Sequence, residues 1–194
     1  MSNQSHSIQW YGPHNFVQNE NLFTNPLGKR KGVYLWTIPF DNNYLVYYVG
    51  QTGTSFATRS FQHIQNYLNG LYRVYDPEKF SKGEKELIWG GMWKPDRKEP
   101  KVMSEFLLNY TQLAPKILDF INLFRLFVAP IEGDERVREI IEYAIARSLN
   151  QQPGIIGSFQ NKDIRYKLRK TTEEPLKVTM TFPNIMGLSE ELTV

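Results

Sequence analysis

Gly32-Val33-Tyr34-Leu35-Trp36-Thr37-Ile38 and, after Pro39 to Asn43, Tyr44-Leu45-Val46-Tyr47-Tyr48-Val49-Gly50 are the stretches that decide how this chain folds. Both are dense in β-branched and aromatic residues, which suit a pleated, half-buried surface. The Pro, Asp and Asn residues between them are turn formers. Together they predict a β-hairpin with Tyr34 on one strand and Tyr48 on its partner.

Downstream, Ser55 can cap a helix in which Ala57, Phe61, Ile64 and Leu68 recur at spacings of four and three and are expected to be its buried stripe. Arg59, His63 and Asn66 recur at the same spacings on another stripe, so their side chains should line up along a surface or a site. Residues 70–116 mix glycine, tryptophan, proline and charge before a short apolar helix around Met103 to Leu113, and read as an insertion. Asn122 to Ile131 reads as a third strand, and Asp134 caps a further helix with an apolar face of Val137, Ile140, Ile141, Ala144 and Ile145. At about 100° per residue, Glu142 falls on the flank of that face, whereas Glu139 is expected to point to water.

Upstream, residues 1–31 are rich in Asn, Gln, Ser and Pro and are expected to be an irregular arm. In the tail, Ile164 to Arg169 alternates apolar and basic residues. That pattern predicts a strand with Arg165, Lys167 and Arg169 on one face, paired as a hairpin with the alternating Val178, Met180 and Phe182. The expected fold class is α+β: a small three-stranded antiparallel sheet flanked by helices, with a helical and loop insertion and a C-terminal β-hairpin. The expected organisation is an N-terminal arm (1–31), a core (32–150) and a basic C-terminal extension (151–194).

A chain of 194 residues without cysteine has no disulfide, thiolate metal site or cysteine nucleophile, so any metal must be held by oxygen or imidazole. The net charge of +3 and pI near 9.0 tolerate a polyanionic partner. Met1 to Tyr11 lacks the basic and apolar segments of a secretion signal, and no apolar run approaches the ~20 residues needed to span a bilayer. A soluble protein of the cytoplasm, with no membrane partner, is the expectation.

The order Gly32-Val33-Tyr34, Tyr48-Val49-Gly50, helical Arg59 and His63, a strand, then helical Glu142 resembles the GIY-YIG nuclease family, with valine in place of isoleucine in each tripeptide. The likeness covers about 80 residues, Gly32 to roughly Asn69 and Asn122 to Asn150. It implies a DNA endonuclease working with one Mg²⁺, or Mn²⁺ as substitute, held by Glu142. Tyr34 would position or deprotonate the attacking water with His63 as proton partner, Arg59 would bind the phosphate, and Tyr48 would order the site. Asn150, eight residues after Glu142, would take the place of the family's late asparagine, at a shorter spacing than is common. The short chain and the Arg59/His63 pair resemble the restriction and homing branches, and a homodimer would supply a second active site for a double-strand cut.

Lys162, Arg165, Lys167 and Arg169, with Lys170 beside them, are the expected phosphate contacts, against the alternative of an edge strand guarded by charge. Trp89 and Trp93, with Lys94 and Arg97, could stack on bases, against the alternative of a satellite core. The same features fit RNA. The rival function is a DNA-binding or assembly protein that keeps the fold without turnover.

Overall fold

The computed structural model describes residues 4–17, 21–93 and 99–194. The fold is α+β. Strands β1 (Gln4–Gln9) and β2 (Tyr11–His14) and a 3-10 turn (Pro26–Lys29) lead to β3 (Gly32–Phe40), β4 (Asn43–Thr52) and helix α1 (Phe56–Leu68). The insertion holds β5 (Val74–Tyr75), α2 (Pro77–Ser81), β6 (Leu87–Trp89), α3 (Pro100–Leu108) and α4 (Tyr110–Leu123). Then follow β7 (Arg125–Pro130), α5 (Glu135–Asn150), α6 (Gly154–Phe159), β8 (Leu176–Thr181) and β9 (Glu191–Thr193).

The predicted hairpin forms. Asp41 and Asn42 take positive φ of 44° and 60°, the left-handed pair that a two-residue turn needs to match the twist of its strands. β7 adds to the other side of β3, with Val128 opposite Tyr34. The sheet has a fourth strand beyond the expected three: β2, from the supposed irregular arm, pairs antiparallel with β7, giving the order β2-β7-β3-β4. The arm also supplies β1, which runs parallel to β8. Its apolar Ile8 and Trp10 are buried in the core beneath α5, and that burial orders a segment whose polar composition suggests a tail.

β3 is central and buried on both faces, and β4 is an edge. One face carries Tyr34, Trp36, Tyr47, Leu126 and Val128 against α1, α2 and α4; the other carries Val33, Leu35, Val49 and Phe127 against α5. A bulge decides which residues of β4 look which way. Trp36 pairs with Tyr48 but Thr37 with Val46, so Tyr47 is the extra residue, and Tyr47 and Tyr48 both turn to the α1 face. Re-aiming a side chain is the usual effect of such a bulge.

α1 buries a different stripe from the expected one. Phe56, Ser60, His63 and Tyr67 are its buried residues, whereas Phe61 is 53% exposed. The polar row faces inward because the sheet offers hydroxyls and rings for it to meet. The third strand is shorter than expected, since residues 122–123 end α4 and Phe124 caps it. Residues 164–170 form no strand: Tyr166 donates to the Val49 carbonyl at 3.3 Å, and side-chain pairing rather than a ladder holds the segment. β8 does enter a hairpin, but with β9 rather than with that basic segment.

Candidate active site

Tyr34 stands at the middle of β3 with its side chain 2% exposed. Its hydroxyl lies 2.8 Å from His63 Nε2 and accepts from Arg59 Nε at 3.3 Å. Strand register and helix phase bring these groups together: β4 runs into a short turn, Ser55 accepts the Thr58 amide at 3.0 Å to start α1, and Arg59 and His63 then fall one turn apart over Tyr34. The Tyr48 ring is 5.9 Å from that of Tyr34 and 5.5 Å from that of His63, completing the cluster. A glycine is needed at position 50, because a Cβ there would sit on the ring and hydroxyl of Tyr34.

The electrostatics are those of a dry site with one fixed cation. Burial, assisted by the Arg59 charge, drops the His63 imidazole to about 3, so it is neutral and can accept a hydrogen bond from the Tyr34 hydroxyl. Burial first and then Tyr48 push the Tyr34 hydroxyl well above its ordinary range, against the pull of Arg59. A resident tyrosinate is therefore not the form of Tyr34 at neutral pH, and its hydroxyl serves as a hydrogen-bonded link. Arg59 spends Nε on Tyr34 and Nη1 on Gln62 Oε1 at 3.1 Å, while Nη2 makes no hydrogen bond among the described residues.

Glu142 lies on α5, packed on the opposite face of the sheet, where the backbone amide of Gln51 in β4 hydrogen-bonds its carboxylate. Burial raises its carboxyl to about 7, and Glu139 adds to the rise, while the Gln51 hydrogen bond and the charges of Arg59 and Lys167 oppose it. Glu142 also acts on the Tyr48 hydroxyl, so it belongs to the same electrostatic unit. Tyr34, Tyr48, Arg59 and His63 are thus brought into contact, and Glu142, from the other side of the sheet, acts on Tyr48 and Arg59 through its charge. Asn150 is not, since eight residues of helix carry it ~12 Å along α5 from Glu142; its buried Oδ1 has no hydrogen-bond partner.

Glu139 does not point to water. It is 6% exposed and accepts from Arg136 Nη1 at 3.1 Å and from Lys167, because residues 164–173 cover that side of α5. The basic residues consequently do not share a face. Lys167 is spent on Glu139, and Arg169 donates to the carbonyls of Lys170 and Glu173. Lys162 and Arg165 remain exposed beside Asn161, Asp163 and Ile164, which line a groove running to Arg59. Trp89 is core: it is 4% exposed and its Nε1 donates to the Gly70 carbonyl at 2.7 Å. Trp93 is 63% exposed and lines the groove, and Lys94 and Arg97 lie outside the described residues.

Sequence reasoning missed Tyr72, whose ring is 5.7 Å from His63, and the Gln51 amide that holds Glu142. Tyr72 sits in an irregular loop, where no periodicity marks it, and a backbone amide has no residue-type signature. Among the described residues no group of three or more acidic, histidine or cysteine side chains could hold a metal, and no helix is long and apolar enough to cross a membrane. No family model, curated protein or solved structure matches the chain.

Proposed function

We propose that this chain is a Mg²⁺-dependent DNA endonuclease of the GIY-YIG kind, hydrolysing phosphodiester bonds at the cluster of Tyr34, Tyr48, Arg59, His63 and Glu142. The observation that carries the reading is the Tyr34 hydroxyl held between His63 Nε2 at 2.8 Å and Arg59 Nε at 3.3 Å. A hydroxyl so placed can orient the attacking water, because its own proton is directed to the neutral imidazole and a lone pair is left to face the substrate. The guanidinium beside it has an open edge for a phosphate oxygen, and its charge is permanent near neutral pH.

Glu142 is the residue that would hold the metal. A single desolvated carboxylate suits Mg²⁺, which keeps several waters and completes its shell with substrate phosphate, and Mn²⁺ would substitute. Bound there, the ion would supply charge neutralisation for the pentacoordinate phosphorus. With one protein ligand, metal affinity should be weak without DNA and tighten with it.

The same reading places the protein among restriction-type enzymes of the cytoplasm, with a homodimer cutting both strands. Supercoiled plasmid tests it. Nicking or linearisation is expected with Mg²⁺, none with EDTA, and a fall of about 10²–10³-fold in rate for Arg59→Ala, as for loss of one fixed transition-state donor. Glu142→Ala should be inactive with an unchanged circular dichroism spectrum. Plasmid that is shifted but never cut under all these conditions would instead establish the DNA-binding or assembly role.

A further inference from the structure

Beside the cluster runs a groove of about 320 Å³ whose lining includes Tyr48, Arg59, His63, Asn66, Tyr72 and Trp93. We propose that this groove is a slot for one nucleobase, unstacked from the strand whose phosphate lies on Arg59. The proposal rests on the nuclease reading of Arg59 and Tyr34 and extends it to how the substrate is gripped.

Size comes first. Small-molecule pockets run from ~300 to ~1,000 Å³, so this one suits a flat ring system rather than an extended ligand. Its walls are aromatic. The Tyr72 ring stands between His63, at 5.7 Å and 47°, and Trp93, at 5.8 Å and 66°, so its own orientation is fixed by packing. Trp93 is 63% exposed, although the other three tryptophans of the chain are 4% exposed or less. An exposed aromatic ring in the lining of an aromatic groove gains from a flat ring system laid against it, and a nucleobase offers that face whatever its identity.

The polar groups are placed for base edges rather than for a second phosphate. The amides of Asn66 and Asn161 line the groove, and amides can pair with the donors or the acceptors of a base. The one nearby acid, Asp163, is held by an ion pair with Arg73 at the same rim. Paired in this way the two charges offset each other, which leaves little net attraction for a second phosphate, while the carboxylate can still accept from the exocyclic amino group of cytosine or adenine. Arg59 opens onto the same groove as Trp93, so a phosphate on the guanidinium leaves its attached nucleoside next to the slot. Taking a base out of the stack costs a few kcal/mol, and aromatic walls are how proteins offset it.

The test is binding, in EDTA, of two fluorescein-labelled 15-nucleotide single strands followed by anisotropy: one of mixed sequence, the other a tetrahydrofuran abasic strand of equal length and charge. The wild-type protein should bind the base-bearing strand about tenfold more tightly, the order expected of one stacked base. Trp93→Ala, at an exposed position, should lose that preference while retaining its affinity for the abasic strand, and Trp93→Phe should keep most of it. Equal affinity for both strands, binding to neither, or an undiminished preference in Trp93→Ala would overturn the slot. Plasmid cleavage with Mg²⁺ is run in parallel, because the two readings fail separately: cutting without base preference removes the slot alone, and base preference without cutting removes the nuclease reading alone.

Discussion

Glu142→Gln should make the protein more stable at neutral pH while abolishing its activity. The carboxyl sits at about 7 in the folded protein against an ordinary 4.5, because burial opposes its charge more than the Gln51 amide, Arg59 and Lys167 support it. The native state therefore holds a proton that the unfolded chain releases. That contribution to stability is fully present below pH 4.5 and is lost as pH rises through about 7. At ~1.36 kcal/mol per pH unit the loss reaches about 3 kcal/mol at pH 8. Glutamine has the same shape, never ionises, and keeps an oxygen for the Gln51 amide, so it escapes the loss. Urea unfolding of both proteins in EDTA, from pH 4 to pH 8, should show nearly equal stability at the acid end. The variant should gain progressively, to about 3 kcal/mol at the alkaline end, with a rise in Tm of roughly 6–12 °C for a domain of this size. Other titrating groups are common to both proteins and cancel in the difference. A difference that stays flat with pH, or that favours the wild type at pH 8, would refute the claim that Glu142 is a desolvated carboxylate.

The pH dependence of activity follows from the same group. The proton and the metal compete for Glu142, so cleavage at limiting Mg²⁺ should fall as pH drops below about 7 and be restored by more Mg²⁺; a loss that added metal does not repair would point to another group. The imidazole of His63, at about 3, should leave no step near pH 6.5 in a profile taken at saturating metal. Tyr34→Phe keeps the ring but removes the hydroxyl that joins His63 to Arg59, and should lower the rate by about 10²–10⁴-fold while costing ~1–3 kcal/mol in urea unfolding. Gly50→Ala should cost ~1–3 kcal/mol through the collision of its Cβ with Tyr34, and lower the rate more than a stability change of that size would; unchanged turnover would show that the position of Tyr34 does not matter.

The hairpin was legible because its signals are local: β-rich runs, and an Asp41-Asn42 turn whose two residues accept positive φ. The site order was legible for the same reason, since Arg59, His63 and Glu142 need only helix phase to be aimed. Failure came where the partner is distant in sequence. Gln4–Gln9 pairs with Leu176–Thr181, and nothing in either segment announces the other. Ile164 to Arg169 has a strand's alternation, yet it is fixed by Tyr166 on Val49 and Lys167 on Glu139 rather than by a ladder. In α1 the hydrophobic pattern misled directly: Phe61 is outside and His63 and Ser60 are inside, because the face of the sheet it meets is itself polar at Tyr34 and Tyr48. A polar stripe that points inward at a candidate site is where pattern reasoning is expected to break.

The inverted stripe also accounts for the electrostatic character of the cluster. Burying a histidine and two tyrosines in one place keeps all three neutral, since burial raises the phenols and lowers the imidazole. The permanent charge left among them is that of Arg59, half-buried at the rim of the groove, and Glu142, the acid coupled to Tyr48 and Arg59, is only about half ionised at pH 7. Without a ligand, the site therefore holds a cation that lacks a full counter-charge in surroundings where charge is poorly screened. On the proposed function, an arriving phosphate diester would meet that deficit directly. A metal dication brought in with it would favour the ionised form of Glu142, so anion, metal and carboxylate would favour one another's binding. Substitution of Arg59 removes the charge on which this mutual dependence turns. Its loss should weaken phosphate binding and the metal's hold on Glu142 together, a coupling that a purely structural arginine would not produce.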